Sequence, residues 1–184
     1  GFKDHRSKGM AEVEYSFDKK EYLPREFPKH SITGTFKYDV IAPTDKFLKT
    51  DKDNVFTSFK TATVDQMMYE RDISLKYERE TEYGLKTTIQ LRNTNDEPTG
   101  KLVYLRNNAE RTLVRDITTT EASLSFRYAP GETFINTKQR RIPVSLDAPV
   151  FTLSHTTGFK GVLGGEYNYN LTEAGIYKRF WFSS

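Results

Sequence analysis

The chain has no cysteine among its 184 residues, which excludes disulfide bonds, thiolate metal ligands and cysteine nucleophiles. It also lacks any apolar run approaching the roughly 18 residues that a membrane-spanning helix requires. Neither sign of charge predominates, because 28 basic and 25 acidic residues are interspersed and leave a formal net charge of +3. That balance argues against a surface for nucleic acid or another polyanion.

Apolar residues are scarce, but aromatic residues are abundant. Hydrophobic residues make up 36% of the chain and the mean hydropathy is −0.69, whereas 11 Tyr, 13 Phe and 1 Trp bring the aromatic share to 14%. This combination is typical of strands that have one face in contact with water. No internal repeat, low-complexity tract or break in composition divides the chain. We therefore expect a single unit over residues 1–184.

The most regular feature is a two-residue alternation of apolar and polar side chains. In residues 32–40, apolar residues or glycine occupy every second position from Ile32 to Val40, and the positions between them are polar. Residues 83–91 carry the same alternation from Tyr83 to Leu91. The pattern predicts two-faced β-strands. Both runs reach the roughly 9 to 11 residues that a tilted strand needs to cross a bilayer.

Further strand signals are separated by turn residues, and no helical periodicity competes with them. They lie at residues 11–17, 54–61, 73–77, 101–106, 122–128, 150–157, 166–171 and 175–182. Residues 80–82 are predicted as a hairpin turn. Residues 93–100 are predicted as a loop because Asn, Asp, Pro and Gly dominate them. Pro143 and Pro149 argue against a central strand in residues 132–149. About eight to ten strands result, so the predicted fold is all-β, an antiparallel meander.

Two architectures fit this pattern. A soluble barrel or sandwich packs its apolar face inward, whereas an outer-membrane-type β-barrel turns that face to lipid and lines its lumen with the polar one. In the second case the candidate lumen-facing polar residues are Lys37, Asp39, Lys76, Glu78, Lys86, Gln90, Arg92, Arg127, Glu166, Asn168 and Asn170. The candidate interface aromatics are Tyr38, Tyr83, Tyr128 and Trp181, with Tyr15, Phe17, Phe126, Phe180 and Phe182 as further members. In a soluble domain the same side chains are solvated residues and core or edge aromatics.

Catalytic motifs are absent from the sequence. His5, His30 and His155 do not have metal-ligand spacing, and the Gly-x-Ser-x-Gly motif of serine hydrolases does not occur. The acidic stretch that starts at Asp51 lacks the glycine and the final glutamate of a calcium loop. The sequence therefore predicts no catalytic residue, no bound cofactor and no metal site. A surface enzyme stays as a third hypothesis only because barrels sometimes host hydrolases.

Several stretches resemble one protein family. They lie at residues 22–28, 53–56, 127–134, 141–155, 158–170 and 178–183. They are similar to the Bacteroidota outer-membrane proteins in which a carboxypeptidase-regulatory-like domain precedes a long region of unknown function that ends in a β-barrel. The resemblance implies that residues 1–184 are an internal β-barrel segment of a longer chain.

The resemblance also implies a place for the protein, the bacterial outer membrane. Our first hypothesis is accordingly a non-enzymatic barrel segment that acts in envelope biogenesis or in passage across the outer membrane. Its expected partners are outer-membrane lipid, other envelope proteins and strands from the rest of its own chain, with no nucleic acid. The alternative is a soluble β-barrel or sandwich domain that binds an apolar ligand or a partner protein.

Overall fold

A computed structural model describes residues 7–17, 28–43, 66–106, 110–132, 134–136, 141–143 and 148–180. Eleven strands lie within these ranges: β1 Gly9–Ser16, β2 His30–Ile41, β3 Gln66–Glu80, β4 Leu85–Gly100, β5 Tyr104–Leu105, β6 Leu113–Val114, β7 Ile117–Tyr128, β8 Phe134–Asn136, β9 Arg141–Pro143, β10 Val150–Gly158 and β11 Tyr169–Tyr177. No helix in the described ranges is both long and apolar enough to span a membrane.

Seven of the strands form one antiparallel sheet in the order β1-β2-β3-β4-β7-β10-β11. Each strand pairs with the next long strand along the chain. The short strands form two separate hairpins, β5–β6 in the connection from β4 to β7 and β8–β9 in the connection from β7 to β10. The predicted all-β antiparallel meander is therefore confirmed.

The strand register sorts the side chains onto two faces. Residues opposite one another in neighbouring strands share a face, so Ile32, Tyr77, Ile89 and Leu124 form one row across β2, β3, β4 and β7. The adjoining row contains Glu78 and points the other way. We call the face of Ile89 and Leu124 the apolar face and the face of Glu78 the polar face.

Strands β3 and β4 continue beyond the alternating region, which corrects one prediction. Residues 93–100 are the second half of β4, not a loop. Their polar side chains hydrogen-bond to the neighbouring strand β7: Asn93 Nδ2 donates to Thr120 Oγ1 at 2.9 Å, and Asn95 Nδ2 donates to Thr118 Oγ1 at 2.9 Å. Cross-strand pairing of this kind stabilises a strand whose local composition favours a turn.

Other predicted elements differ from the observed ones. Residues 166–171 and 175–182 are not two strands, because one strand, β11, covers Tyr169–Tyr177. Of residues 101–106 only Tyr104–Leu105 are strand. The segment at 132–149 carries the β8–β9 hairpin outside the main sheet, in accordance with its prolines. The strand predicted at 54–61 lies outside the described residues.

A turn joins β3 to β4 as predicted, but it covers residues 81–84 and not 80–82, so Tyr83 lies in the turn and not in the strand predicted at 83–91. Glycine is required in this turn. Gly84 has a φ of +80°, a conformation that residues with a Cβ adopt at a cost. Its carbonyl oxygen accepts a hydrogen bond from the Ala129 nitrogen at 2.9 Å, which ties the turn to the end of β7. A Cβ at Gly84 would lie 2.2 Å from the Ala129 oxygen. The position is therefore restricted both by φ and by space.

Substitution of Gly84 by alanine should destabilise the fold more than the same change at a glycine that is restricted by φ alone. Gly131 is the matched control, because its φ is +75° but an added Cβ there meets no atom within 4 Å. We expect Gly131→Ala to lower the free energy of unfolding by about 1 kcal/mol. Gly84→Ala should cost a further ~1–3 kcal/mol through the clash. Urea unfolding of both variants measures the difference, and equal losses would contradict the close approach to Ala129.

Candidate functional site

The apolar face exposes large hydrophobic side chains across the whole sheet. Phe36, Ile89 and Leu124 are 46%, 46% and 40% exposed. Further exposed apolar side chains on this face are Val13, Tyr15, Ile73, Leu75, Leu91, Phe126, Tyr128, Phe151, Leu153 and Ile176. A contiguous exposed apolar surface of this extent marks a place where a protein meets something other than water.

The polar face is the more buried of the two. Its buried side chains include Ser31, Thr33, Glu70, Glu78, Thr94 and Asp96. Among the described residues the buried hydrophobic ones are Met68, Tyr69 and Ala129. The usual arrangement of a water-soluble protein, with apolar side chains inside, is therefore reversed across this sheet.

A carboxylate surrounded by lysines lies at one end of the polar face. Glu78 Oε2 lies 3.2 Å from Lys29 Nζ and 3.0 Å from Lys76 Nζ, and its Oε1 lies 2.8 Å from Lys86 Nζ. Lys29 also contacts Glu14 Oε1 of β1 at 2.8 Å. We call these five residues the Glu78 cluster. Because its members come from β1, β3, β4 and the residue that precedes β2, the cluster joins four strands through charge.

A second group of polar contacts lies farther along the same face. Arg92 on β4 donates to Asp72 Oδ2 on β3 from Nε at 3.1 Å and from Nη2 at 2.7 Å. The hydroxyl of Tyr169 on β11 donates to the carboxylate of Glu121 on β7 and so spans β10. It can do so because Gly158, which lies between them in the register, leaves room for the tyrosine ring. The polar face is thus crossed by ordered side-chain pairs from β3 to β11.

The structure gathers most of the predicted polar residues on this face. Eight of them lie there: Lys37, Asp39, Lys76, Glu78, Lys86, Gln90, Arg92 and Arg127. Arg127 forms a paired contact with Glu132, with nitrogen-to-oxygen distances of 2.6 and 2.7 Å.

Three predicted polar residues lie elsewhere. Glu166 and Asn168 are in the connection between β10 and β11, which covers residues 159–168. There Glu166 accepts a hydrogen bond from the Thr118 nitrogen at 3.3 Å and pairs with Arg106 at 3.2 Å. Asn170 is on β11 opposite Thr157, so it belongs to the apolar face.

The predicted interface aromatics lie toward the two ends of the apolar face. Tyr38 stacks on Tyr69 at one end, with ring centroids 5.9 Å apart. Tyr128 stacks on Phe151 at the other end, at 6.4 Å. Tyr83 is an exposed residue of the turn beyond that end. Trp181 lies outside the described residues.

The connection at 159–168 folds over the end of the apolar face near Tyr38. Thr120 Oγ1 donates to the Val162 oxygen at 2.7 Å, and Asn93 Nδ2 donates to the Leu163 oxygen at 3.2 Å. Both Asn93 and Thr120 are buried beneath it. These contacts fix the connection against β4 and β7 and leave Leu163 itself 75% exposed.

The described histidines take part in local contacts within the sheet. The His30 ring lies 3.0 Å from the Tyr77 hydroxyl, and His155 Nδ1 lies 2.7 Å from Thr172 Oγ1. In the part of the chain that the structure describes, no group of three His, Asp or Glu side chains is arranged to hold a metal ion. His5 and Asp51 lie outside that part.

Five residues with defined roles on the polar face were not predicted from the sequence. They are Glu14, Lys29, Asp72, Glu121 and Tyr169. Glu14 could have been found by its alternation with Val13 and Tyr15, which places it on the polar face of β1. The other four depend on cross-strand register, which one sequence does not reveal.

Removal of the Glu78 charge should destabilise the sheet, because three lysine ammonium groups would then face one another without their shared carboxylate. Loss of one partner from a fully buried ion pair costs roughly 3–5 kcal/mol. Glu78 is 7% exposed, but its lysines are 18% to 35% exposed and therefore partly hydrated. We expect Glu78→Gln to lower the free energy of unfolding by about 2 kcal/mol.

Glu12→Gln is the matched control for this change. Glu12 is an exposed residue of β1 on the same face, and its contact with Thr35 Oγ1 is a long one of 3.4 Å. We expect a loss below about 0.5 kcal/mol there. Chemical denaturation of the folded full-length chain compares the two variants. Losses of similar size would show that the Glu78 cluster does not stabilise the sheet.

Comparisons with known proteins supply a family but no activity. No curated protein matches the chain, and no solved structure matches it. A family model described as the C-terminal domain of a family of unknown function, DUF5686, matches residues 1–184. The match covers the whole of the sequence, so the chain belongs to the DUF5686 C-terminal domain family.

Proposed function

We propose that this chain forms part of a β-barrel in the bacterial outer membrane and acts there without catalysis. Its apolar face contacts lipid, and its polar face borders an aqueous interior through which polar solutes pass or in which envelope components are assembled. The observation that carries the proposal is the reversed distribution of side chains, with apolar residues exposed and charged residues buried on opposite faces of one sheet.

The dimensions of the apolar face support a membrane-spanning role. On β4 it extends from Leu85, opposite Tyr128, to the position of Asn93, opposite Ile73. These nine residues match the roughly 9 to 11 that a tilted strand needs to cross the hydrocarbon core. Beyond Asn93 both faces of β4 carry polar side chains as far as Glu97, as expected for a strand that continues into water.

The aromatic residues support the same orientation. Tyr38 is one row beyond Phe36 at one end of the apolar face, and Tyr128 lies in the last row at the other end. Tyrosine rings are favoured at the boundary between lipid and water because they combine an apolar ring with a polar hydroxyl. Two such boundaries, one at each end of the apolar face, are what the girdles of an outer-membrane barrel require.

Closure of the barrel requires further strands. The described sheet has β1 at one end and β11 at the other. Unpaired backbone groups are not tolerated in hydrocarbon, so both of these strands must find partners. We propose that residues outside the described sheet supply them.

The soluble alternative predicts a different arrangement of the apolar side chains. It requires Phe36, Ile89 and Leu124 to pack together in a core. In the described sheet they are spread over three strands and expose 40% to 46% of their surface. We therefore favour the membrane barrel.

Two neighbouring residues of β7 allow a direct test. Leu124 lies in the middle row of the apolar face, and Ser125 points to the polar face. We expect the refolded chain to float with lipid vesicles and to migrate differently in gels before and after heating. Leu124→Lys should lower the free energy of unfolding in vesicles by about 2–4 kcal/mol, the cost of a lysine at the bilayer midplane.

Ser125→Lys is the control, and it should change the free energy of unfolding by less than about 1 kcal/mol because its face borders water. A folded chain that stays soluble without detergent and does not bind vesicles would overturn the proposal. Equal effects of the two lysines in vesicles would also contradict it.

A further inference from the structure

The apolar face is not flat, because a groove of about 660 Å³ crosses it. Its lining includes Val13, Gly34, Ile73, Leu75, Leu91 and Leu163. Gly34 forms an open part of the floor, since an added Cβ there would meet no atom within 4 Å. Large side chains surround this position, so the missing side chain of Gly34 creates a depression in the face that we propose contacts lipid.

The connection at 159–168 forms one wall of the groove, and this wall contains a residue with a strained backbone conformation. Leu163 has a φ of +47°, a conformation that disfavours a leucine by about 1–2 kcal/mol. The Asn93 and Thr120 side chains hold it there through their hydrogen bonds to the Leu163 and Val162 carbonyl oxygens. A strained residue that is fixed by buried polar groups indicates a preformed surface.

A cation lies beside the groove at the polar end of the apolar face. Arg71 is two residues from Ile73 on β3, on the same face and about 7 Å away along the strand. Its Nη2 donates to Asn93 Oδ1 at 3.2 Å, and its Nε is buried without a hydrogen-bond partner. The ion pairs found among the described residues do not include Arg71. No carboxylate of those ion pairs offsets the Arg71 charge.

We propose that this groove binds one acyl chain of an anionic phospholipid, whose phosphate is bound by Arg71. The inference rests on the proposed function, because the surrounding bilayer supplies the lipid. An apolar groove next to an uncompensated guanidinium matches a ligand with a hydrocarbon chain and a phosphate close to its end. The groove is continuous with the apolar face, so a lipid enters it sideways from the bilayer.

Native mass spectrometry of the chain after reconstitution tests the proposal. The full chain is inserted into bilayers of phosphatidylcholine with a minor fraction of phosphatidylglycerol, its insertion is checked by flotation, and it is then released into mild detergent. We expect one retained phosphatidylglycerol and no retained phosphatidylcholine. Arg71→Gln should reduce the retained fraction about tenfold, and Arg71→Lys should restore part of it.

Gly34→Phe fills the floor of the groove and should abolish retention. Gly9→Phe is its matched control, because Gly9 is also a strand glycine with open space around its Cβ but does not line the groove. If Gly34→Phe does not fold, Leu163→Ser serves in its place, since this exposed side chain forms the wall. We expect Leu163→Ser to reduce retention at least threefold.

Three results would overturn this proposal and leave the proposed function intact. The first is an inserted wild-type chain that retains no lipid. The others are equal retention of phosphatidylglycerol by Gly34→Phe and Gly9→Phe, and equal retention of the two phospholipids by the wild-type chain. A protein or a second copy of the chain retained in place of lipid, and lost in Gly34→Phe, would overturn it as well. Failure of the wild-type chain to insert would overturn the proposed function, and this inference with it.

Discussion

A buried carboxylate requires compensating positive charge, and the polar face of this sheet depends on that requirement. Glu78 obtains three lysine ammonium groups within 3.2 Å, and one of them also binds Glu14. The side chains in this cluster come from neighbouring strands, so correct pairing of the charges is possible only in the correct register. A shift of the strand pairing by one residue would move the side chains of the shifted strand to the opposite face and would separate the paired charges. The ion cluster thus helps to fix the register of these neighbouring strands.

The opposite face follows from the same alternation. Once charged side chains are fixed on one side, the residues between them must point to the other side, and most of these are Leu, Ile, Val, Phe or Tyr. An exposed apolar surface of this extent marks a site of contact with a partner protein, a ligand or lipid. The proposed location in the outer membrane assigns lipid to this surface, and the aromatic residues at both ends agree with that assignment.

The sequence predicted those parts of the fold that depend on periodicity. Alternation alone placed Lys76, Glu78 and Arg92 on one face and Phe36, Ile89 and Leu124 on the other, because successive side chains of a strand point in opposite directions. It did not predict that β4 continues to Gly100, because Asn93 and Asn95 favour a turn locally. Their hydrogen bonds to Thr120 and Thr118 override that preference. Lys29 was missed for a similar reason, since its partners Glu14 and Glu78 lie 15 and 49 positions away.

In the proposed barrel alternate residues of one strand contact lipid and water, and the absence of cysteine makes this alternation directly measurable. Single cysteines at each position from 122 to 127 on β7, labelled with a nitroxide in the vesicle-inserted chain, report accessibility to oxygen in lipid and to a water-soluble nickel chelate. We expect maxima of oxygen accessibility at positions 122, 124 and 126 and maxima of chelate accessibility at positions 123, 125 and 127. Chelate access that is equal at all six positions, or an inverted alternation, would contradict it.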